Sequence, residues 1–186
     1  MELELKLESE LSAFVAVTVV AISVFMAVAK LKDDNVVQQM QYAQVAAVDS
    51  WNEYQAEKIK MHLDENDAAA LALGSAAGNG NAAAVAAERR RLAGKIAHYQ
   101  QESDALQKKA RGDDALYIRL NFRHDQFDMA DALCSIAIAL AAVASLANHR
   151  ALLFASWGAG ACGVFMGVAA MAGWSIHPEW LASLLS

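Results

Sequence analysis

The sequence predicts an all-helical membrane protein with three transmembrane helices and a long soluble helical hairpin, resembling a coiled coil, between the first and second spans. Three apolar stretches, residues 11–29, 129–147 and 151–176, each have about the 20 residues needed to cross the hydrocarbon core of a bilayer. The chain is 56% hydrophobic and contains one proline in 186 residues, so turn signals are scarce and helix is favoured almost throughout.

The charge distribution gives no surface for nucleic acid. The net charge is -6, and four glutamates fall within the first ten residues. Acidic and basic residues are nearly balanced in the central region, where no basic stripe forms. We therefore expect membrane lipids and other proteins, rather than nucleic acid, as the partners of this chain.

Catalytic and cofactor-binding motifs are missing from the sequence. No nucleophile stands beside a base, no glycine loop that would hold a phosphate precedes a helix, and no two histidines have metal-ligand spacing. Cys134 and Cys162 lie inside apolar stretches, which favours packing residues over a disulfide or zinc framework. We expect a protein that is not an enzyme and needs no cofactor or metal.

Residues 1–10 form an acidic amino-terminal tail in which leucine alternates with charged residues. An alternation with a period of two residues is typical of a β-strand. One interpretation is therefore a strand that pairs with another subunit. The other is a tail without regular structure, or one that lies on the membrane surface.

The first span, residues 11–29, is expected to be a retained anchor rather than a cleaved export signal. Its apolar run is too long for a signal core, and the preceding segment is acidic instead of basic. Basic residues near the span ends are concentrated in the central region: Lys30, Lys32, Arg111, Arg119 and Arg123. Only Lys6 and Arg150 flank the other side, so the positive-inside bias places the hairpin in the cytoplasm and the amino terminus outside.

The soluble hairpin comprises residues 30–128. Its first leg continues from the span without a glycine or proline and is expected to end near Asn66, before an apex at residues 67–81 that is rich in glycine and asparagine. On the return leg, apolar residues alternate at spacings of three and four, which is coiled-coil patterning. The predicted seam contains Leu92, Ile96, Tyr99, Leu106, Tyr117, Leu120 and Phe127, together with Trp51 and Tyr54 on the first leg.

A single pair of long helices buries too little apolar surface to be rigid in water, so the seam requires neighbours. Several copies of the chain are one solution, and a different protein is the other. Residues at one face of the third span are small and recur every four positions, which allows close helix approach: Ala155, Ala159, Gly163 and Gly167. Residues 177–186, which follow this span, are predicted to form a short helix at the membrane interface.

A polar cluster stands where the second span begins: His124, Asp125, Asp128 and Asp131. His124, Asp128 and Asp131 share one helix face, and in a ring of subunits their carboxylates would attract cations at a pore mouth. The simpler interpretation is that these residues end the water-exposed helix at the headgroup boundary.

Three segments resemble a bacterial membrane family catalogued as domain of unknown function 4337. They are VVQQMQYAQ at residues 36–44, WNEYQAEKIK at 51–60 and ALCSIAIAL at 132–140. The resemblance implies a bacterial inner-membrane protein with one amino-terminal span and a pair of spans at the end. It carries no activity, cofactor or catalytic residue.

The expected function is therefore a non-catalytic, multi-pass protein of the bacterial inner membrane that forms a homo-oligomeric scaffold or docking assembly. An oligomeric ion channel with an acidic mouth is the first alternative. Its pore would be lined by the first span, where Thr18 and Ser23 are the polar groups. An accessory subunit that regulates a transporter or another membrane complex is the second alternative, and it requires a membrane-protein partner.

Overall fold

A computed structural model of the chain describes the backbone of residues 2–76 and 81–174 and the side chains within these ranges from residue 11 onward. Three helices account for the described chain: α1 Glu2–Ala76, α2 Ala82–Leu146 and α3 Arg150–Ala172. The described ranges contain no strand, so the predicted all-helical fold class is confirmed. All three helices contain a stretch that is long and apolar enough to cross a membrane.

Helix α1 begins at Glu2, so the strand interpretation of the amino-terminal tail is wrong, as is a tail without regular structure. Leucine, glutamate and lysine all have high helix propensity, and together they favour helix even though the polar pattern has period two. The first span therefore continues an existing helix instead of starting one.

The first leg of the hairpin is longer than the sequence predicts. Helix α1 passes the expected end at Asn66 and continues to Ala76, because residues 68–73 are alanine and leucine, the best helix formers. One helical glycine, Gly74, costs only about 1 kcal/mol and does not end the helix. Helix α2 begins at Ala82, where the Asn81 side chain caps it by accepting a hydrogen bond from the Ala83 N–H at 3.0 Å.

The third helix is shorter than the predicted span at residues 151–176. It ends at Ala172, and Gly173 then adopts a left-handed φ of 72°. The N–H of Trp174 reaches back to the carbonyl of Ala169 at 2.9 Å, which satisfies one of the last carbonyl groups of the helix. Glycine permits this conformation without steric cost, so it terminates α3. The predicted interfacial helix at residues 177–186 lies outside the described residues.

Contacts divide the chain into two compact units. Met1–Met40 and Ile118–Ser186 form the bundle unit, and Gln41–Tyr117 forms the hairpin unit. In the bundle unit, α3 packs beside α1 in the same direction and beside α2 in the opposite direction. Three small apolar clusters join these helices, and their buried members are Leu11, Val15, Ile22, Met129, Ala130, Cys134, Ala137, Ala141, Ala144, Leu153 and Met166.

Glycines of α3 allow the helices of the bundle unit to approach closely. A Cβ atom added at Gly163 would lie 2.8 Å from the Cys134 sulfur and 3.1 Å from the Ala130 carbonyl oxygen. One added at Gly167 would lie 2.6 Å from the ring of Phe25. These distances are shorter than ordinary van der Waals contact, so a methyl group at either position would have to displace its neighbours.

The outer surface of the bundle unit is apolar and uncovered. In the most apolar stretch of α1 only 17% of the residues are buried, and in α2 and α3 the share is 33%. Val17, Val20 and Val24 have exposures of 69%, 62% and 60%. A surface of this kind is stable in hydrocarbon and not in water, which agrees with helices that cross a membrane.

Candidate functional site

Two polar side chains from helices distant in sequence meet inside the bundle unit. Asp33 of α1 lies one turn beyond the first span, and its side chain is only 3% exposed. Its Oδ1 atom lies 2.6 Å from Nδ1 of His124 on α2. Because an ionised carboxylate only accepts hydrogen bonds, Nδ1 of His124 is the donor. This contact fixes the register of α1 against α2 where the apolar spans end.

Lys30 supplies the cation beside the buried carboxylate. Its ammonium group donates to Oδ2 of Asp33 at 3.0 Å and lies 3.6 Å from Asp34. The hydrogen bond to Asp33 raises the pKa of Lys30, and the nearby negative charges of Asp33, Asp34 and Asp128 raise it further. The lysine side chain is 64% exposed, so the ammonium group is free to leave this position at small cost.

The structure does not bring all four residues of the predicted polar cluster together. His124 contacts Asp128, with 3.6 Å between Nε2 and Oδ2. Asp131 lies next to Asp128 on the wall of a neighbouring cavity. Asp125 accepts a hydrogen bond from the side chain of Asn121 at 3.4 Å and stands apart. The structure therefore brings together His124 and Asp128 and adds Asp33, which the sequence interpretation missed.

A cavity of about 80 Å³ adjoins this group within the bundle unit. Three carboxylates, those of Asp33, Asp128 and Asp131, stand on its wall together with Lys30. The remaining wall is largely apolar and includes Phe25, Met26, Ala29, Phe127, Ala130 and Cys134. The wall of the cavity therefore combines apolar side chains with an excess of acidic ones.

Helix α2 also holds the end of α3 through two side chains near this site. Arg123 donates from Nε to the carbonyl of Ala170 at 2.6 Å and from a terminal nitrogen to that of Met171 at 2.9 Å. Gln126, which is buried, donates to the carbonyl of Trp174 at 2.9 Å. These bonds fasten α2 to carbonyl groups at and just beyond the end of α3. Arg123 is consequently committed to α3 and does not neutralise the carboxylates.

One sequence signal would have revealed Asp33. Ala29, Asp33, Val36 and Ala43 are spaced by four, three and seven residues, and all four are buried. A charged residue within an otherwise apolar seam indicates a buried partner, since an unpaired buried charge is very costly. The partner itself, His124, lies 91 residues away and follows only from the packing of α1 against α2.

In the hairpin unit, the two legs pack through small residues. Ser50 and Ser103 are fully buried, as is Ala110, and polar contacts join the legs along their length. Ser50 donates to Asp113 at 3.3 Å, and Trp51 donates through its ring nitrogen to Asp114 at 3.0 Å. Small side chains let the two helices approach closely at these positions, and the larger Met61 and Leu92 are also buried in this unit.

The predicted seam residues flank this contact. Leu92 is buried in the hairpin unit, whereas Trp51, Tyr54, Ile96, Tyr99, Leu106 and Tyr117 are half-buried there. Leu120 and Phe127 are buried in the bundle unit. Of the predicted small-residue face of α3, Gly163 and Gly167 are buried, Ala159 is half-buried and Ala155 is exposed.

The large exposed apolar residues in the described part of the hairpin unit all lie on α1. They are Tyr42, Val45, Val48, Ile59, Leu63 and Leu73, with exposures between 54% and 76%. In α2, every large apolar side chain from residue 82 to 117 is at least half-buried. One leg of the hairpin unit therefore presents large apolar side chains, and the other presents polar residues and alanine.

Comparison with known families gives one finding. A family described as Domain of unknown function (DUF4337) matches residues 11–173, which is most of the chain. The chain belongs to the DUF4337 family. No curated protein matches the sequence, and no solved structure matches the fold. The DUF4337 match covers all three helices, and its description names no activity.

Proposed function

We propose that this chain is a membrane-anchored, non-catalytic protein that assembles with copies of itself through an apolar stripe on the first leg of its hairpin. The α1 stripe consists of Tyr42, Val45, Ile59, Leu63 and Leu73. The single observation that carries the proposal is that the large exposed apolar residues of the hairpin unit belong to one leg only. Such a surface requires a partner, since water does not solvate it well.

The spacing within the stripe indicates a helix as the partner. Its residues follow one another at intervals of 3, 14, 4 and 10, so all five fall on two alternating positions of a seven-residue repeat. Val48, which is also exposed, falls on a different position of the repeat. This repeat is the pattern that packs one helix against another by knobs into holes.

A second copy of the chain satisfies the stripe without any further assumption. In a parallel pair in register, every stripe residue meets its own counterpart, and so do the polar residues at the same repeat positions, Asp49, Asn52 and Asn66. The two Asp49 carboxylates would repel each other, which weakens the pair at that position. Paired asparagines within a seam hydrogen-bond to each other and set the register. The seam then supports an oligomeric scaffold, or a docking platform, in which the three spans hold each copy in the bilayer.

We place the assembly in the inner membrane of a bacterium with its hairpin in the cytoplasm. Basic residues near the span ends support this orientation, since Lys30, Lys32 and Arg123 adjoin the central region and Arg150 stands alone in the connection between α2 and α3. Membrane lipids cover the outer surface of the bundle unit under this proposal.

Cysteine crosslinking tests the proposal directly. In a Cys162→Ala background, Leu63→Cys introduces a thiol in the α1 stripe, while the remaining natural cysteine, Cys134, is buried. Glu65→Cys is the matched control, because Glu65 is exposed and lies away from the stripe. The protein is oxidised in membranes and then separated without reducing agent.

The expected result is a covalent dimer from Leu63→Cys and a monomer from Glu65→Cys. A second variant, Leu63→Asp, is expected to lower the molecular mass measured by light scattering in mild detergent, because a charge in the seam loses its hydration. A monomeric wild-type protein in detergent and an absence of crosslinking in membranes would contradict self-assembly. Cation flux from purified protein in liposomes would support the channel alternative instead.

A further inference from the structure

We propose that Asp33, His124 and Asp128 form a binding site for a divalent transition-metal cation such as Zn²⁺ or Mn²⁺. The proposal rests on residues of the bundle unit, and it is independent of the α1 stripe and of self-assembly. It depends on three observations, which concern the distances between the ligand atoms, the position of the imidazole between two carboxylates and an excess of negative charge.

Each of the three residues offers one ligand atom, and these atoms lie within 4.8 Å of one another. Metal bonds to imidazole nitrogen and carboxylate oxygen are about 2.0–2.2 Å long, so two ligands of one ion stand up to about 4.4 Å apart. The ligand atoms therefore need to move only slightly to bind one ion. Asp128 can make this adjustment, because its side chain is 63% exposed and has no tighter partner than His124.

Both ring nitrogens of His124 face carboxylates. Nδ1 lies 2.6 Å from Oδ1 of Asp33, and Nε2 lies 3.6 Å from Oδ2 of Asp128. A cation bound by Nε2 would also be held by Asp128, while Asp33 holds the other ring nitrogen as carboxylates commonly do behind metal-bound histidines. His124 and Asp128 would then bind the ion directly, and Asp33 would position the imidazole.

The site also carries more negative than positive charge. Asp33, Asp128 and Asp131 face the adjoining cavity, and Lys30 is the cation on its wall. The guanidinium of Arg123 is bonded to the end of α3 and compensates none of them. A divalent cation would balance the excess, and the exposed Lys30 ammonium can withdraw into water when the ion binds.

The ligand types select the class of metal. An imidazole nitrogen together with carboxylate oxygens suits Zn²⁺ and Mn²⁺, whereas Mg²⁺ and Ca²⁺ favour oxygen ligands alone. Two histidines and a carboxylate would be typical of an iron site, and only one histidine stands here.

The test uses full-length protein in detergent after treatment with a chelator. Zn²⁺ is titrated by calorimetry, and Mn²⁺ is examined by pulsed electron paramagnetic resonance for coupling to an imidazole nitrogen. Asp128→Asn removes one ligand from an exposed position, so folding should not depend on it. Asp125→Asn is the matched control, since Asp125 is a neighbouring carboxylate outside the site. His62→Gln controls for an exposed histidine that also pairs with a carboxylate, Glu65.

We expect one Zn²⁺ per chain, an affinity at least about tenfold weaker in Asp128→Asn, and no change in either control, since even outer-shell partners change metal affinity by about 10–100-fold. His124→Gln is expected to abolish the nitrogen coupling of Mn²⁺. Zn²⁺ binding that survives both Asp128→Asn and His124→Gln unchanged would overturn the proposal. So would an absence of binding by the wild-type protein, or displacement of Zn²⁺ by an equal concentration of Mg²⁺.

Discussion

Replacement of Gly163 by alanine tests the close approach of α3 to α2 in the bundle unit. The new Cβ atom would lie 3.1 Å from both the Ala130 carbonyl oxygen and the Cys134 backbone nitrogen, and 2.8 Å from the Cys134 sulfur. The sulfur can rotate away, but the two backbone atoms belong to a helix and cannot. The helices must therefore separate for the methyl group to fit.

The magnitude follows from the difference between two glycines of the same helix. Gly158 has no atom within 4 Å of an added Cβ, so Gly158→Ala changes only helix propensity, by at most about 1 kcal/mol in favour of alanine. Gly163→Ala gains the same stability from helix propensity, but overpacking lowers its stability by about 1–3 kcal/mol. The difference between the two variants isolates the packing cost of about 1–3 kcal/mol, which is roughly a 5- to 150-fold change in an opening equilibrium.

The thiol of Cys134 reports this opening, because it is buried against Gly163. In a Cys162→Ala background it is the only thiol, and its rate of modification by a maleimide is proportional to the population of the open state. We expect modification of Gly163→Ala to be about 5- to 150-fold faster than that of Gly158→Ala, as the packing cost requires. Equal rates in the two variants would refute the packing of α3 against α2 described above.

Three further predictions concern other contacts. Arg123→Gln should lower stability by about 1.5–3 kcal/mol in thermal unfolding, since charged hydrogen bonds to the end of α3 are lost, whereas the exposed Arg119→Gln should not. Ser50→Leu should destabilise by about 1–3 kcal/mol because a fully buried position is overfilled, and circular dichroism during urea titration measures this. A hydrogen bond from Arg91 lowers the pKa of Glu88 in the folded protein. The pair therefore stabilises the fold at pH values above the pKa that Glu88 has in the unfolded chain, and this contribution is lost as the pH falls through the lower pKa of the folded protein. In carboxyl NMR titrations, Arg91→Gln should return the pKa of Glu88 toward its ordinary value.

The helices and spans could be predicted because their signals are local. Apolar length predicts each of the three spans, and a scarcity of proline and glycine predicts long helices between them. The predicted ends of α1 and α3 were wrong, because residues that favour helix and residues that end it lie close together there. At residues 68–73 an alanine-rich run extended α1 beyond the acidic segment, and at Gly173 a left-handed residue ended α3 before the apolar run finished.

The candidate site was only half predictable from the sequence. His124 and Asp128 lie one turn apart on a single helix, so their proximity follows from helical geometry. Asp33 is on a different helix, and Lys30 next to it was interpreted only as an orientation signal. Whether a polar residue is exposed or buried against another helix depends on the angle and register of packing, which periodicity does not specify.

The sequence by itself determined a three-helix chain with apolar spans, because helix propensity and transfer of apolar residues from water are properties of each residue and its near neighbours. Only the tertiary structure decided which face of each helix is covered. It put small residues between the hairpin legs, left the α1 stripe exposed, and joined Asp33 to His124 across 91 residues. The physical reason is that helix packing depends on the shapes of both surfaces together, and neither surface contains that information alone.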